Sequence, residues 1–114
     1  MHQEEIPTPV TTKEIYQSYL KAGRTAAEAL HYGRSLIKPG VTYYEVAEAV
    51  EAKIRQLGCD LAFPCNISRN EIAAHYTPPA GDETVFTEND IIKLDVGAQH
   101  NGYVGDNALT VDLT

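Results

Sequence analysis

Apolar residues recur every three or four positions in two stretches of the chain, which predicts two amphipathic helices. The first helix follows Thr11, which together with Glu14 has the spacing of a capping box. Its apolar positions are Ile15, Tyr19, Ala22, Ala26 and Leu30. The helix is expected to end before Pro39-Gly40, and residues 1–10 are expected to form an irregular N-terminal arm.

The second helix is predicted from a second capping box, Thr42 with Glu45. Its apolar positions are Val46, Val50, Ile54 and Leu57. Gly58 follows the last of them and is expected to end the helix, since glycine adopts the left-handed conformation common just beyond a helix C-terminus.

After residue 58 the hydrophobic pattern changes to short apolar runs rich in branched and aromatic residues, which predict strands. The runs cover residues 61–63, 72–74, 84–86, 91–96 and 103–113. They are separated by Pro64, Pro78-Pro79, Gly81-Asp82 and Asn89-Asp90. Two helices followed by antiparallel strands predict an α+β fold, with residues 11–114 as one domain. The helices are expected to cover one face of the sheet, so the other face needs its own cover or water.

The composition narrows the classes of partner. Of the 114 residues, 43% are hydrophobic, and 9 Lys and Arg against 16 Asp and Glu give a net charge of −7. Nucleic acid and anionic membranes are poor partners for such a chain. The polar start lacks the features of a secretory signal, and no apolar stretch approaches the ~20 residues that span a membrane. A cytoplasmic location is therefore expected.

The two cysteines are not expected to carry chemistry. Cys59 and Cys65 match neither a redox pair nor a zinc-binding pattern, and they are too few for a disulfide framework. Both are expected to be buried as small apolar residues.

The most informative stretch is a predicted hairpin around Asn101-Gly102, a pair that tolerates the positive φ of tight turns. If the turn is His100-Asn101, Asp95 lies directly opposite Asp106. If the turn is Asn101-Gly102, Asp106 lies opposite Gly97, one diagonal step from Asp95. Both registers place the two carboxylates on the same face of the sheet unless a bulge intervenes.

Two carboxylates placed in this way are candidates for a metal site. Cross-strand and diagonal neighbours lie roughly 5–8 Å apart, close enough to hold one ion or a pair of ions. Hard divalent ions prefer carboxylate oxygen and would relieve the repulsion between Asp95 and Asp106. The alternative is that both are solvent-facing strand residues. Asp112 has no such partner and is interpreted as a surface residue.

His75 is a second candidate, since it precedes the proline-rich stretch at Pro78-Pro79. A histidine there has the chemistry to donate a hydrogen bond to a substrate carbonyl or to bind a metal. Alone, a histidine is more often a packed or surface residue.

Taken together, the order and spacing of these motifs resemble the type II methionine aminopeptidases, especially the archaeal ones. The resemblance is carried by Phe63-Pro64, Ala73-Ala74-His75-Tyr76-Thr77-Pro78, Ala80-Gly81-Asp82, Lys93-Leu94-Asp95-Val96-Gly97 and Asp106. It extends from about Thr11 to the last residue. It implies one half of a pita-bread fold, in which two α+β halves related by a pseudo-two-fold axis enclose a dinuclear metal site.

The resemblance also implies roles for single residues. Asp95 would bind one metal ion and Asp106 would bridge both, with Co, Mn, Fe or Zn as the divalent metal. His75 would act in catalysis by contacting the substrate amide. Phe63 would line the pocket for the methionine side chain. The implied activity is metal-assisted removal of the initiator methionine from nascent proteins.

The family's remaining ligands, a histidine and two glutamates, belong to its C-terminal half, and this sequence ends at Thr114. Three hypotheses follow. The chain is an N-terminal half that works with a complementary C-terminal half on peptides that start with methionine. Alternatively, it forms a symmetric homodimer with a metal-binding but weakly active or inactive centre. The third hypothesis is a non-catalytic binding module with the same fold.

Overall fold

Two helices and a sheet of three antiparallel strands form the part of the chain that the computed structural model describes, residues 11–70 and 77–114. The elements are α1 (Thr12–Leu36), α2 (Tyr43–Gln56), β1 (Asp60–Arg69), β2 (Ile91–His100) and β3 (Tyr103–Asp112). The strand order is β1-β2-β3, so β2 is the middle strand. The predicted arm, the predicted strand at 72–74 and His75 lie outside the described residues.

Both helices begin where the sequence predicts, because their first turns are capped by threonine. The side chain of Thr11 accepts a hydrogen bond from the Glu14 N–H at 3.1 Å. At α2 the box is complete: Thr42 accepts from the Glu45 N–H at 3.0 Å, and the Glu45 carboxylate accepts from the Thr42 N–H at 3.2 Å. Gly58 follows α2 with φ of +91°. No helix in the described ranges is both long and apolar enough to cross a membrane.

The core lies between the helices and one face of the sheet. The middle strand β2 contributes every second residue to it, namely Ile92, Leu94, Val96 and Ala98. The helices contribute mainly Ala26, Ala29, Leu30, Val46, Val50 and Ile54. The opposite face of the sheet has no helix against it among the described elements, and Ile91 and Val104 on that face are 44% and 47% exposed. The predicted one-sided packing is therefore confirmed.

The expected break at Pro64 is wrong, because β1 continues through this residue. Phe63 pairs with Gly97 and Asn66 pairs with Asp95, so two residues of β1 face a single residue of β2 between these pairs. This is a β-bulge, and a bulge is one of the few places in a sheet where proline is tolerated.

The strand predicted at 84–86 is also wrong, because this segment forms only an isolated bridge between Val85 and Thr42. Its backbone pairs with the connection between the helices: the Phe86 N–H donates to the Val41 carbonyl at 3.0 Å, and the Gly40 N–H donates to the Phe86 carbonyl at 2.9 Å. The segment thus fixes the connection between α1 and α2 and does not extend the sheet.

Candidate metal and substrate site

The β2–β3 hairpin sets the positions of both candidate carboxylates. Gly97 pairs with Asp106 and Asp95 pairs with Ala108, so the turn is Asn101-Gly102. Asn101 and Gly102 have φ of +53° and +84°, as a tight turn of this kind requires. Of the two registers that the sequence allowed, the structure has the one that places Asp106 opposite Gly97.

Asp95 and Asp106 lie on the sheet face that points away from the helices. They are diagonal neighbours on adjacent strands, since Asp106 is opposite Gly97, two positions along β2 from Asp95. Asp95 is half-buried and Asp106 is exposed. Diagonal neighbours in a sheet lie within reach of a common ligand, which makes a shared site geometrically feasible.

A concavity of about 450 Å³ opens beside the two carboxylates. It is lined by Phe63, Pro64, Asn66, Thr77, Asp95 and Asp106. The structure therefore brings together three of the four site residues named from the sequence. For His75 the structure gives no position, because it lies outside the described residues.

Asn66 and Thr77 line the same concavity, and sequence reasoning did not select either of them. Asn66 pairs directly with Asp95 and is buried. The position of Asn66 could not be predicted from strand alternation. Counting from Phe63, strict alternation would place residue 66 on the opposite face of the sheet, and the bulge in β1 changes this.

The two aspartates fit a divalent cation by the chemistry of their donors. Carboxylate oxygens are hard ligands, and two of them near one concavity are better accommodated around a cation than side by side without one. Within the described residues, no group of three or more His, Cys, Asp or Glu side chains has the arrangement of a metal site. This part of the chain therefore supplies only some of the ligands that a metal ion needs.

Cys65 lies beside the site but is not suited to bind a metal as thiolate. Its pKa is raised to about 12, first by burial and then by the negative charges of Glu51 and Asp95. Its backbone N–H donates to the Glu51 carboxylate at 2.8 Å. A thiol with this pKa stays protonated at neutral pH, and thiolate is the form that coordinates metals.

We expect both cysteines to resist thiol reagents in the folded chain at about pH 8, near the pKa of a free thiol. Cys65 is 1% exposed and Cys59, also buried, donates to Thr25 Oγ1 at 3.4 Å. Because burial raises the pKa of Cys65 and favours its neutral thiol, Cys65 should keep this protection until the pH approaches about 12. Labelling with a chromogenic disulfide should be slow until urea unfolds the chain; rapid labelling of the native chain would contradict the structure.

Comparison with known proteins shows where the chain belongs. The model of metallopeptidase family M24 matches residues 17–114. The methionine aminopeptidase of Methanocaldococcus jannaschii is 52% identical over 101 residues, which are 89% of this chain and 34% of that protein. The methionine aminopeptidase of Archaeoglobus fulgidus is 48% identical over 100 residues, or 88% of this chain and 34% of that protein.

The fold agrees with the same relationship. The crystal structure of a methionine aminopeptidase from Thermotoga maritima superposes with a TM-score of 0.80 at 35% identity, covering 90% of this chain and 43% of that one. The chain thus spans about a third of the length of its archaeal relatives. The predicted α+β layout and the predicted resemblance are confirmed. The chain belongs to metallopeptidase family M24, a family of metal-dependent peptidases, and has part of the family's pita-bread fold.

Proposed function

We propose that this chain is the N-terminal half of a methionine aminopeptidase that removes initiator methionine from nascent proteins in the cytoplasm. The observation that carries the proposal is the placement of Asp95, Asp106 and Phe63 around one concavity on the open face of the sheet. This placement combines hard metal ligands with an aromatic wall. Such a combination suits a peptidase that selects an apolar side chain next to its metal site.

In the proposed site, Asp95 would hold one divalent ion and Asp106 would be shared between two, with Co, Mn, Fe or Zn as the metal. Divalent ions in such a site supply a nucleophile from water at neutral pH and polarise the scissile carbonyl. Asp95 is half-buried in β2, which is paired with a strand on each side, so the backbone that carries its carboxylate is fixed before a ligand arrives.

Phe63 has the proposed role of binding the methionine side chain. Its ring lines the concavity beside both carboxylates. Burying an unbranched apolar side chain there contributes on the order of 1.5–3 kcal/mol to binding. For His75, the proposed contact with the substrate amide rests on the sequence resemblance alone.

The site needs further ligands, and the proposal assigns them to a complementary half. The chain matches only about a third of its archaeal relatives, and its described residues supply two carboxylates. The open face of the sheet offers Ile91 and Val104 as apolar contacts at its two ends. A second copy of this chain is the alternative partner. Two copies related by a two-fold axis would cover each other's open sheet face.

The test is release of methionine by a reconstituted site. This chain is mixed with the M. jannaschii remainder, defined as the part of the M. jannaschii enzyme that the chain does not match, in the presence of each of the four metals. Release of free methionine from a Met-Ala-Ser peptide is expected from the mixture and from neither component alone. The M. jannaschii enzyme split at the same place is the positive control, and the Asp95→Asn/Asp106→Asn double variant is the negative control.

No release by the mixture, while the split M. jannaschii enzyme is active, contradicts the proposal. Sedimentation equilibrium of the chain alone then separates the other hypotheses. A dimer that forms only with Mn²⁺ or Co²⁺ supports the symmetric homodimer, whereas a monomer that binds no metal supports a non-catalytic module.

A further inference from the structure

Gly97 lies between two residues of the proposed site, although it has no side chain of its own to place there. It lies in the middle strand, where it pairs with Phe63 of β1 on one side and with Asp106 of β3 on the other. It is buried, even though it lies on the sheet face that the helices leave open. On this face the structure places the side chain of Phe63 against Gly97.

The contact is with the ring of Phe63. A Cβ atom built on Gly97 would lie 2.2 Å from Phe63 Cε2, 2.6 Å from Cδ2 and 2.7 Å from Cζ. Real Cβ atoms do not approach other heavy atoms so closely. The ring of Phe63 thus lies against the backbone of β2, in the space that any other residue at position 97 would fill.

Backbone conformation does not explain the glycine at this position. The glycines with positive φ in the described ranges are Gly40, Gly58, Gly81 and Gly102. Gly97 is absent from this set. Its pairing is continuous with β3, and on the side of β1 its partner Phe63 lies between two register shifts. Any residue could adopt its backbone, so the requirement for glycine is one of space.

We propose that Gly97 determines specificity by letting the Phe63 ring lie flat on the sheet. The backbone of β2 lies beneath the ring, so a side chain at position 97 displaces the ring outward, toward the concavity that Phe63 lines. The space left beside Asp95 and Asp106 then becomes smaller. The missing side chain of Gly97 therefore keeps the concavity deep enough for a long unbranched side chain such as that of methionine. This inference rests on the proposed function.

The displacement of the ring is testable in the chain alone. The sequence has only two phenylalanines, Phe63 and Phe86, so labelling with para-fluorophenylalanine gives two fluorine NMR signals. Phe86 is 1% exposed and stacks on Tyr43 with ring centroids 4.3 Å apart, so it serves as an internal control. Gly97→Ala is expected to shift the Phe63 signal and leave the Phe86 signal in place, with Phe63→Leu assigning the two.

Gly23→Ala is the matched control, because a Cβ on Gly23 would have no heavy atom within 4 Å. This variant makes the same chemical change without touching the ring, and it should leave the Phe63 signal where it is. An unchanged Phe63 signal in Gly97→Ala overturns the inference. Equal shifts of both phenylalanines would also overturn it, because they would indicate a general change in the fold.

The effect on specificity is measured in a chimera, in which this sequence replaces the matching segment of the M. jannaschii enzyme. Gly97→Ala should lower the ratio of kcat/KM for a Met-Ala-Ser peptide to that for an Ala-Ala-Ser peptide by about tenfold or more, since one methylene group in an apolar pocket changes discrimination by about 10–200-fold. Adding Phe63→Leu, which replaces the ring by a smaller aliphatic group, should restore much of the ratio.

Equal losses on both peptides would overturn the specificity role, because they would show damage to the shared machinery. A parent chimera that is inactive on both peptides contradicts the proposed function, and with it the assignment of methionine to this concavity. The fluorine spectra of the chain alone do not depend on that activity. They decide separately whether Gly97 sets the position of the Phe63 ring.

Discussion

Replacement of Asp95 or Asp106 by asparagine is expected to weaken Co²⁺ or Mn²⁺ binding to the chimera by at least about 100-fold. Asparagine keeps the size of the side chain but removes the negative charge and one strong oxygen donor. Even residues outside the coordination sphere change metal affinity by about 10–100-fold, so the loss of a direct ligand should exceed that range. Isothermal titration calorimetry with a metal-stripped chimera measures the effect.

Asp112→Asn is the control for this prediction. Asp112 pairs with Ile91, so it lies on the same face of the sheet as Asp95 and Asp106 but at the far end of β3. It is exposed, and hydrogen bonds from the Thr114 side chain and backbone lower its pKa. The substitution removes the same charge, yet it should leave metal affinity unchanged. Equal weakening by all three substitutions would mean that general electrostatics, and not ligation, accounts for the result.

The second large effect is expected from Gly105→Ala, which should lower the free energy of unfolding by roughly 1–3 kcal/mol or more. A Cβ on Gly105 would lie 2.5 Å from the Gly23 backbone nitrogen and 2.6 Å from the Ala22 carbonyl carbon. These are backbone atoms of α1, which cannot move aside as a side chain can. Since a small domain is stable by only about 5–15 kcal/mol, the loss is a large share of the total.

Gly23→Ala is the matched control, since it makes the same chemical change on α1 without adding an atom to this contact. A Cβ on Gly23 points into open space, and alanine in a helix is more favourable than glycine by roughly 0.5–1 kcal/mol, so this variant should be more stable than the parent. Urea denaturation followed by circular dichroism compares the two variants. If Gly105→Ala matches the parent in stability, α1 does not pack on β3 as closely as the structure shows.

The hairpin could be predicted from the sequence because its rules are local. Asn101-Gly102 limits the turn to a small choice of registers, and each of them keeps Asp95 and Asp106 on one face. The pairing between β2 and β3 is continuous from Ile91 to His100, so no bulge disturbs that parity. The helices were predictable for a similar reason, since each has a threonine cap and a regular apolar repeat.

The geometry of β1 could not be predicted in the same way. Phe63 and Asn66 pair with residues that share one face of β2, although they are three positions apart along the chain. Simple alternation would separate them, and only the bulge after Phe63 brings both to the site. Gly97 was missed for a different reason: a glycine carries no chemical group, and its role becomes visible only when the Phe63 ring is seen above it.

The central claim is that Asp95 and Asp106 belong to a metal site completed by residues from outside this chain. The most direct measurement is the Mn²⁺ electron paramagnetic resonance spectrum of the chain mixed with the M. jannaschii remainder. We expect the mixture to give the signal of a spin-coupled pair of ions. Neither component alone should give this coupled signal, and Asp106→Asn should abolish it in the mixture. A mixture that gives only uncoupled Mn²⁺, or a coupled signal that persists in Asp106→Asn, would contradict the account.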